Sequence, residues 1–312
     1  MTGIICVNKP QEFTSFDVVA SMRRCFGTKK IGHGGTLDPM ATGVLPVFVG
    51  GATKAVDLVP DDSKSYRAGF RLGFVSDTQD IWGKLRSRCE NGISQAEVEF
   101  ALEDFRGDIM QIPPMYSALK VNGQKLCDLA RRGIEVERRP RPATISRLEL
   151  VSFDGTDGVI DVDCSGGTYI RTLINDIGES LGTGAVMTSL CRTRSCGFTL
   201  ADCHELEEIR SAEKEQLERW LLPVENVFAA LPEIPLDEVQ QRMYLNGVRL
   251  DADRLMKRTE TDALSRVTTA GGVFLGVGRI NSDGELVPVK QFRASENAGS
   301  TGKDGEIIDR HN

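Results

Sequence analysis

Residues 32–46 read Gly32-His33-Gly34-Gly35-Thr36-Leu37-Asp38-Pro39-Met40-Ala41-Thr42-Gly43-Val44-Leu45-Pro46. One carboxylate, Asp38, sits in a glycine-rich loop that runs straight into the apolar segment Val44 to Val49. Glycine permits positive φ and lets a ligand approach the backbone closely. Pro39 lacks an N–H and biases Asp38 away from helical backbone, which predicts an exposed bend at the aspartate. The ordinary use of Asp at such a bend is an Asx-turn, its side chain capping its own backbone. This loop is longer and richer in glycine than a tight turn requires, and it carries His33, one of only three histidines.

Working outward, the pattern is mixed. Gly3 to Val7 reads as a short apolar strand, and Thr14-Ser15 supplies an N-cap for a helix over Phe16 to Phe26. Val44 to Val49 reads as a buried strand, Ala52 to Val59 as helical, and Ser65 to Leu72 as an alternating strand ending at Gly73. Ser94 with Glu97 forms a capping box for an amphipathic helix through Phe105. Thr144 to Phe153 and Gly158 to Cys164 alternate as strands, and Gly166-Gly167 leads into a helix from near Tyr169 through Leu181. Irregular helices between alternating strands predict an α+β domain with a mixed, largely antiparallel sheet. The prolines from Pro223 to Pro235 are expected to interrupt regular structure and mark a boundary. Beyond it come a short helix and turn over Leu236 to Leu250 and a hairpin of Val273 to Ile280 with Glu285 to Phe292. The Gly/Ser-rich stretch 294–312 is expected to be disordered.

Composition narrows the chemistry. No apolar run approaches the ~20 residues of a membrane span, and Met1 to Pro10 lacks a signal-peptide layout. Eight cysteines without a C-x-x-C pair argue against zinc sites and a disulfide framework, so reduced thiols in a cytoplasmic protein are expected. Net charge is −7, but residues 1–200 hold 24 acidic and 24 basic side chains, so the excess lies entirely beyond them. From Lys120 to Arg147 eight basic residues face three acidic ones, either a phosphate-binding face or a solvated surface. There is no phosphate-binding loop, H-E-x-x-H, G-x-S-x-G or G-x-G-x-x-G motif. A carboxylate working without metal or cofactor is the economical hypothesis, and an arginine is its natural partner.

The segment Gly32 to Pro46 resembles the catalytic loop of the TruB family of tRNA pseudouridine synthases, with Gly34 where Thr or Ala is commoner. Cys164-Ser165-Gly166-Gly167-Thr168-Tyr169-Ile170-Arg171 and Lys64-Ser65-Tyr66 resemble two further signatures of that family. Lys9-Pro10 with Thr14 to Asp17 resembles its N-terminal motif, although Glu12 replaces a Gly. Gln111 to Lys120 opens a stretch that in the family belongs to an insertion clamping the tRNA T-arm; Cys127 stands where Tyr is common. Leu190 to Arg194 matches a last motif, with Cys191 in place of Arg.

The resemblance implies a pseudouridine synthase fold: a catalytic domain over 1–230 with an RNA-clamping insertion at about 108–143, and a small β-rich PUA-like domain over 235–293. It implies Asp38 as catalytic carboxylate, Arg171 as its ion-pair partner and Tyr66 stacked on the target uracil, with Tyr169 packed on the base and His33 helping displace it. Lys9, Lys64, Lys120 and Leu190 are the remaining substrate-binding residues so implied. The activity implied is isomerisation of the T-loop uridine at position 55 of tRNA, by a monomer needing no cofactor, metal or membrane. Whether Asp38 attacks covalently or removes a ribose proton stays open. A non-catalytic RNA-binding protein would not need Asp38 paired with Arg171. A carbohydrate-active enzyme would need a second carboxylate, for which Asp80 is the nearest rival and a loop cap its plainer reading.

Overall fold

A computed structural model describes residues 1–88, 92–121 and 123–292. Cys89 and the stretch 294–312 expected to be disordered lie outside the described residues. The chain forms a ten-stranded sheet in its first two thirds and a five-stranded sheet beyond residue 232. Along the large sheet the strands run Cys203–Glu205, Gly3–Lys9, Thr42–Val49, Ala185–Ser195, Lys64–Leu72, Asp157–Cys164, Arg141–Phe153 and Gly107–Gln111. All neighbours on this path are antiparallel except two parallel pairs, Gly3–Lys9 with Cys203–Glu205 and Thr42–Val49 with Ala185–Ser195.

The second parallel pair positions the site. Its two strands touch at only two residue pairs, Cys191 with Thr42 and Arg192 with Gly43, so the sheet opens on either side of that junction. Gly43 has φ +102, and a Cβ there would overlap the Arg192 backbone; only glycine closes this seam. Thr42–Val49 is buried almost throughout, because it is covered on both faces, which explains its unbroken apolar run. Asp157–Cys164 buries every second residue instead, one face packing on the core.

Helix starts follow the local chemistry. Thr14 caps Ser15–Cys25, its hydroxyl accepting the Asp17 N–H while the Asp17 carboxylate accepts the Thr14 N–H. Ser94 and Glu97 make the same box for Gln95–Glu103. Each such cap contributes about 1 kcal/mol. Ile170–Ser180 buries Ile170, Leu173, Ile174 and Ile177 against the sheet and carries Arg171 on the same buried side.

The segment Ala52 to Val59 expected to be helical lies in a 3₁₀ helix, Gly50–Leu58, which starts from a glycine at φ +61. The prolines at the expected boundary do not break all regular structure: Glu233–Leu236 is a strand parallel to Ser265–Thr269. Pro235 is tolerated because this strand lies at the edge of its sheet. The segment expected to form the insertion begins and ends inside the large sheet, Asp108 pairing with Thr144; what leaves the sheet is 112–140. The two sheets share a core, in which Phe274 stacks on both Phe228 and Phe292, themselves tilted against each other, beside Ile4, Val44 and Phe48.

Candidate active site

An open cleft of about 410 Å³ lies where the two halves of the large sheet meet. Asp38, Lys64, Tyr66, Tyr169, Arg171 and Leu190 all line it. Six residues from distant parts of the sequence, Asp38 to Leu190, therefore converge on one cavity.

Asp38 precedes a Pro39-Met40 turn closed by the Ala41 N–H donating to the Asp38 carbonyl at 3.0 Å. Its carboxylate is not on an exposed bend, as expected, but at the cleft floor with 38 % of the side chain accessible. Nor does it cap its own backbone: Arg171 Nη2 meets Asp38 Oδ2 at 2.9 Å. Arg171 is itself 6 % exposed and held on every side. Its Nη2 donates to the Tyr116 carbonyl at 2.8 Å, and its Nη1 donates to the Thr78 carbonyl at 3.1 Å and to Asp80 Oδ2 at 3.5 Å. One guanidinium thus bridges two carboxylates and two loop carbonyls.

Burial pushes the Asp38 carboxyl above its ordinary value, with Arg171 the strongest opposing influence, Asp80 reinforcing the rise and Lys9 also opposing it. The charged form is held poised rather than deeply stabilised. Lys9 is fully buried behind the loop, donating to the carbonyls of Pro10, Phe13 and, at 3.4 Å, Pro39; burial lowers its pKa to about 8. Lys9 was expected to bind substrate. It has no accessible surface, so it tethers the aspartate loop from behind.

Tyr66 is 7 % exposed, and burial raises its hydroxyl against the pull of the neighbouring Arg192 guanidinium. Tyr169 faces it across the cleft; its N–H donates to Gln111 Oε1 at 3.0 Å and its carbonyl accepts from Gln111 Nε2 at 3.2 Å. That bidentate pairing ties Tyr169 to the strand from which the 112–140 segment leaves. Ser117, Ala118 and Leu119 of that segment form one wall of the cleft. His33 ends the short strand Ile31–His33 and its Nδ1 accepts the Gly35 N–H at 3.3 Å. Burial and Arg192 lower its pKa, keeping it neutral at pH 7. His33 and Lys120 do not line the cleft: the first stands behind the glycine turn, and the second is exposed on the short strand Lys120–Val121.

Arg192 is a structural residue that the sequence motifs do not single out, whereas Asp80, expected as a loop cap, has a second contact. Arg192 is fully buried; its Nε donates to the Val44 carbonyl at 2.8 Å and its Nη2 and Nη1 to the carbonyls of Gly35 and Thr36 at 3.1 and 3.4 Å. It staples the aspartate loop to the sheet. The strand's alternation was the available signal, since Leu190 and Arg192 share a phase and Leu190 faces inward. Asp80 does cap its own loop, accepting from Thr78 Oγ1 and the Trp82 N–H, but it also meets Arg171. Among the described residues no group of three or more His, Cys, Asp or Glu side chains could hold a metal ion.

The chain is similar to proteins of one family. Residues 23–170 match a family model described as TruB family pseudouridylate synthase, N-terminal domain. Residues 171–229 match a tRNA pseudouridylate synthase B C-terminal domain, and 232–290 a pseudouridine synthase II TruB C-terminal model. A tRNA pseudouridine synthase B of Clostridium tetani is 41 % identical over 91 % of this chain and 97 % of its own. One from Pseudomonas fluorescens strain Pf0-1 is 41 % identical over 94 % and 96 %. A solved Cbf5-Nop10-Gar1 complex aligns with TM-score 0.72 at 25 % identity, over 93 % of this chain and 84 % of that one.

Proposed function

The chain belongs to the TruB family of pseudouridylate synthases, and from that premise we propose that it isomerises the T-loop uridine at position 55 of tRNA, with Asp38 as the catalytic carboxylate. The observation that carries this reading is the Asp38–Arg171 pair, 2.9 Å apart at the floor of a cleft walled by Tyr66 and Tyr169. A cavity of about 410 Å³ is of nucleotide size, and aromatic walls replace the stacking a base loses when it leaves an RNA loop.

The reaction breaks the C1′–N1 glycosidic bond, turns the uracil and joins C1′ to C5; the C5 proton leaves to solvent and N1 takes up a proton from it. Product and substrate are isomers of equal oxidation state, so no oxidant or reductant is required. Asp38 acts either by bonding to the sugar or by taking a ribose proton. In both cases it must be ionised and aimed, which Arg171 accomplishes from a buried, fully bonded position. Tyr66 and Tyr169 frame the base, Lys64 and Leu190 complete the rim, and the basic 112–140 segment holds the T-arm. His33 supports the turn beside which the target base enters. We assign the protein to the cytoplasm, where tRNA is the available substrate, as a monomer.

A two-carboxylate glycosidase arrangement is disfavoured, because the Asp80 side chain is 9 % exposed and stands behind Arg171. The test is incubation with a T-arm hairpin carrying [5-³H]uridine at the target position only. The proposal expects stoichiometric tritium release and a carbodiimide-reactive pseudouridine there. Release from a hairpin with the label elsewhere, or none at all, contradicts it.

A further inference from the structure

The 76–87 segment holds an exposed tryptophan on an unusually well-fastened loop. The Ser76 hydroxyl donates to the Asp80 carbonyl at 2.7 Å and accepts the Asp80 N–H at 3.1 Å. Asp77 Oδ1 accepts the Lys84 N–H at 2.8 Å, and Asp80 Oδ1 accepts the Trp82 N–H at 3.0 Å. The loop is further stitched to the large sheet by the Ile81 N–H on the Met187 carbonyl and the Met187 N–H on the Gln79 carbonyl. Gln79 holds φ +63, a conformation uncommon for a residue with a side chain.

At the apex of this rigid frame Ile81 turns into the core while Trp82 is 50 % exposed and Leu85 46 %. Lys84 and Arg86 are exposed beside them and form no ion pair among the described residues. A lone exposed apolar residue is unremarkable. An exposed indole on a loop backbone fixed in this way, flanked by two cations that form no ion pair among the described residues, suits a flat, anionic partner. The same Asp80 carboxylate that accepts the Trp82 backbone N–H touches Arg171, which pairs with Asp38, so the loop backbone that carries the indole is tied through Asp80 and Arg171 to the candidate active site.

We propose that Trp82 stacks on an unpaired base of the RNA beside the cleft, with Lys84 and Arg86 neutralising the adjacent phosphates. This rests on the RNA substrate proposed above. Only two tryptophans occur in the chain, and Trp220 stacks on His204 away from this loop. Trp220→Phe therefore leaves Trp82 as the sole indole reporter. Its emission should be quenched on titration with the T-arm hairpin or with full-length tRNA.

Trp82→Ala should raise the Kd for tRNA by roughly 5- to 100-fold, the range of one lost base stack. Trp82→Phe should retain most of the affinity, and turnover at saturating RNA should be unchanged in both. Lys84→Gln with Arg86→Gln should flatten the salt dependence of Kd by about two phosphate contacts. Because Trp82 is exposed, the thermal midpoint should not move. An unchanged Kd in Trp82→Ala together with unquenched Trp82 emission, in a preparation whose parent protein makes pseudouridine, overturns the inference. A parent protein that converts neither RNA overturns the functional reading itself.

Discussion

At the scale of single residues the decisive balance is on Asp38, where burial and the Asp80 charge push the carboxyl up while Arg171 and Lys9 pull it down, the net displacement being upward. If Asp38 is the catalytic carboxylate, kcat/KM should fall as pH drops through a midpoint raised above the ordinary Asp value. Asp80→Asn removes one of the upward influences and should move that acid limb to lower pH. The same change frees one side of Arg171 and should lower kcat by on the order of 100-fold through misplacement of the pair. A pH–rate profile of Asp80→Asn whose limb moves upward would refute this account of the triad. Arg171→Lys keeps the charge but loses the fork that spans Asp38, Tyr116 and Asp80, so it should lower the single-turnover rate much more than RNA affinity. Asp38→Asn should abolish product yet keep binding. The sign for stability follows from the same shift. A carboxyl whose folded pKa is raised binds protons more tightly in the folded state, so its contribution diminishes as pH rises through that window. Asp38→Asn should accordingly be no less stable than the parent at pH 7 in urea denaturation, and a markedly lower midpoint would show that the charge is structurally required.

At the scale of elements, the basic stretch from Lys120 to Arg147 divides into two kinds of side chain. Arg138 donates to the Pro113 carbonyl and pairs with Glu135, Arg131 pairs with Asp128 and Arg147 with Glu149. Arg132 and Arg139 form no ion pair among the described residues, and both are exposed. If this segment grips phosphates, Arg132→Gln with Arg139→Gln should lower the slope of log Kd against log salt by about two contacts. Arg138→Gln should instead loosen the segment and raise its proteolytic sensitivity; an unaltered salt slope in the double variant would return the stretch to a solvated surface. The contrast also shows what the sequence makes legible. Strands and capped helices could be read because their signals are local: the alternation of Asp157–Cys164 and the Thr14 and Ser94 boxes act within a few residues. Asp38, Arg171, Tyr66 and Tyr169 could be singled out through their motifs. What those motifs do not encode is depth. The motif places Lys9 as a substrate ligand, but a strand buried on both faces carries it under the loop. Arg192 went unnoticed because a buried guanidinium is exceptional by composition, and only the register of Ala185–Ser195 against Gly43 reveals what it staples. Asp80 joins the site through a contact spanning 91 residues, which no local pattern reports.

At the scale of the whole molecule, the question is whether the two sheets behave as one body. The acidic excess lies beyond residue 200, whereas the candidate site and the basic stretch from Lys120 to Arg147 lie before it. The second sheet is nevertheless not an appendage, because its Phe274 and Phe292 pack with Phe228 and with Ile4, Val44 and Phe48 of the strands that carry the aspartate loop. Ring centroids 5.6 to 5.8 Å apart are in the range where aromatic pairs add to area burial. A core shared in this way transmits its loss to both sides: the strand that follows Asp38 is also the strand against which the second sheet rests. Phe292→Ala removes a fully buried ring and should cost about 3 to 5 kcal/mol. Fluorescence of Trp82 in the first unit and amide exchange in the Phe274–Ile280 strand of the second should then lose their native signals at the same, lowered denaturant concentration. Two separated transitions, with only the second moved by Phe292→Ala, would mean that the aromatic contact joins two independently stable units, and that the aspartate loop owes nothing to the C-terminal sheet.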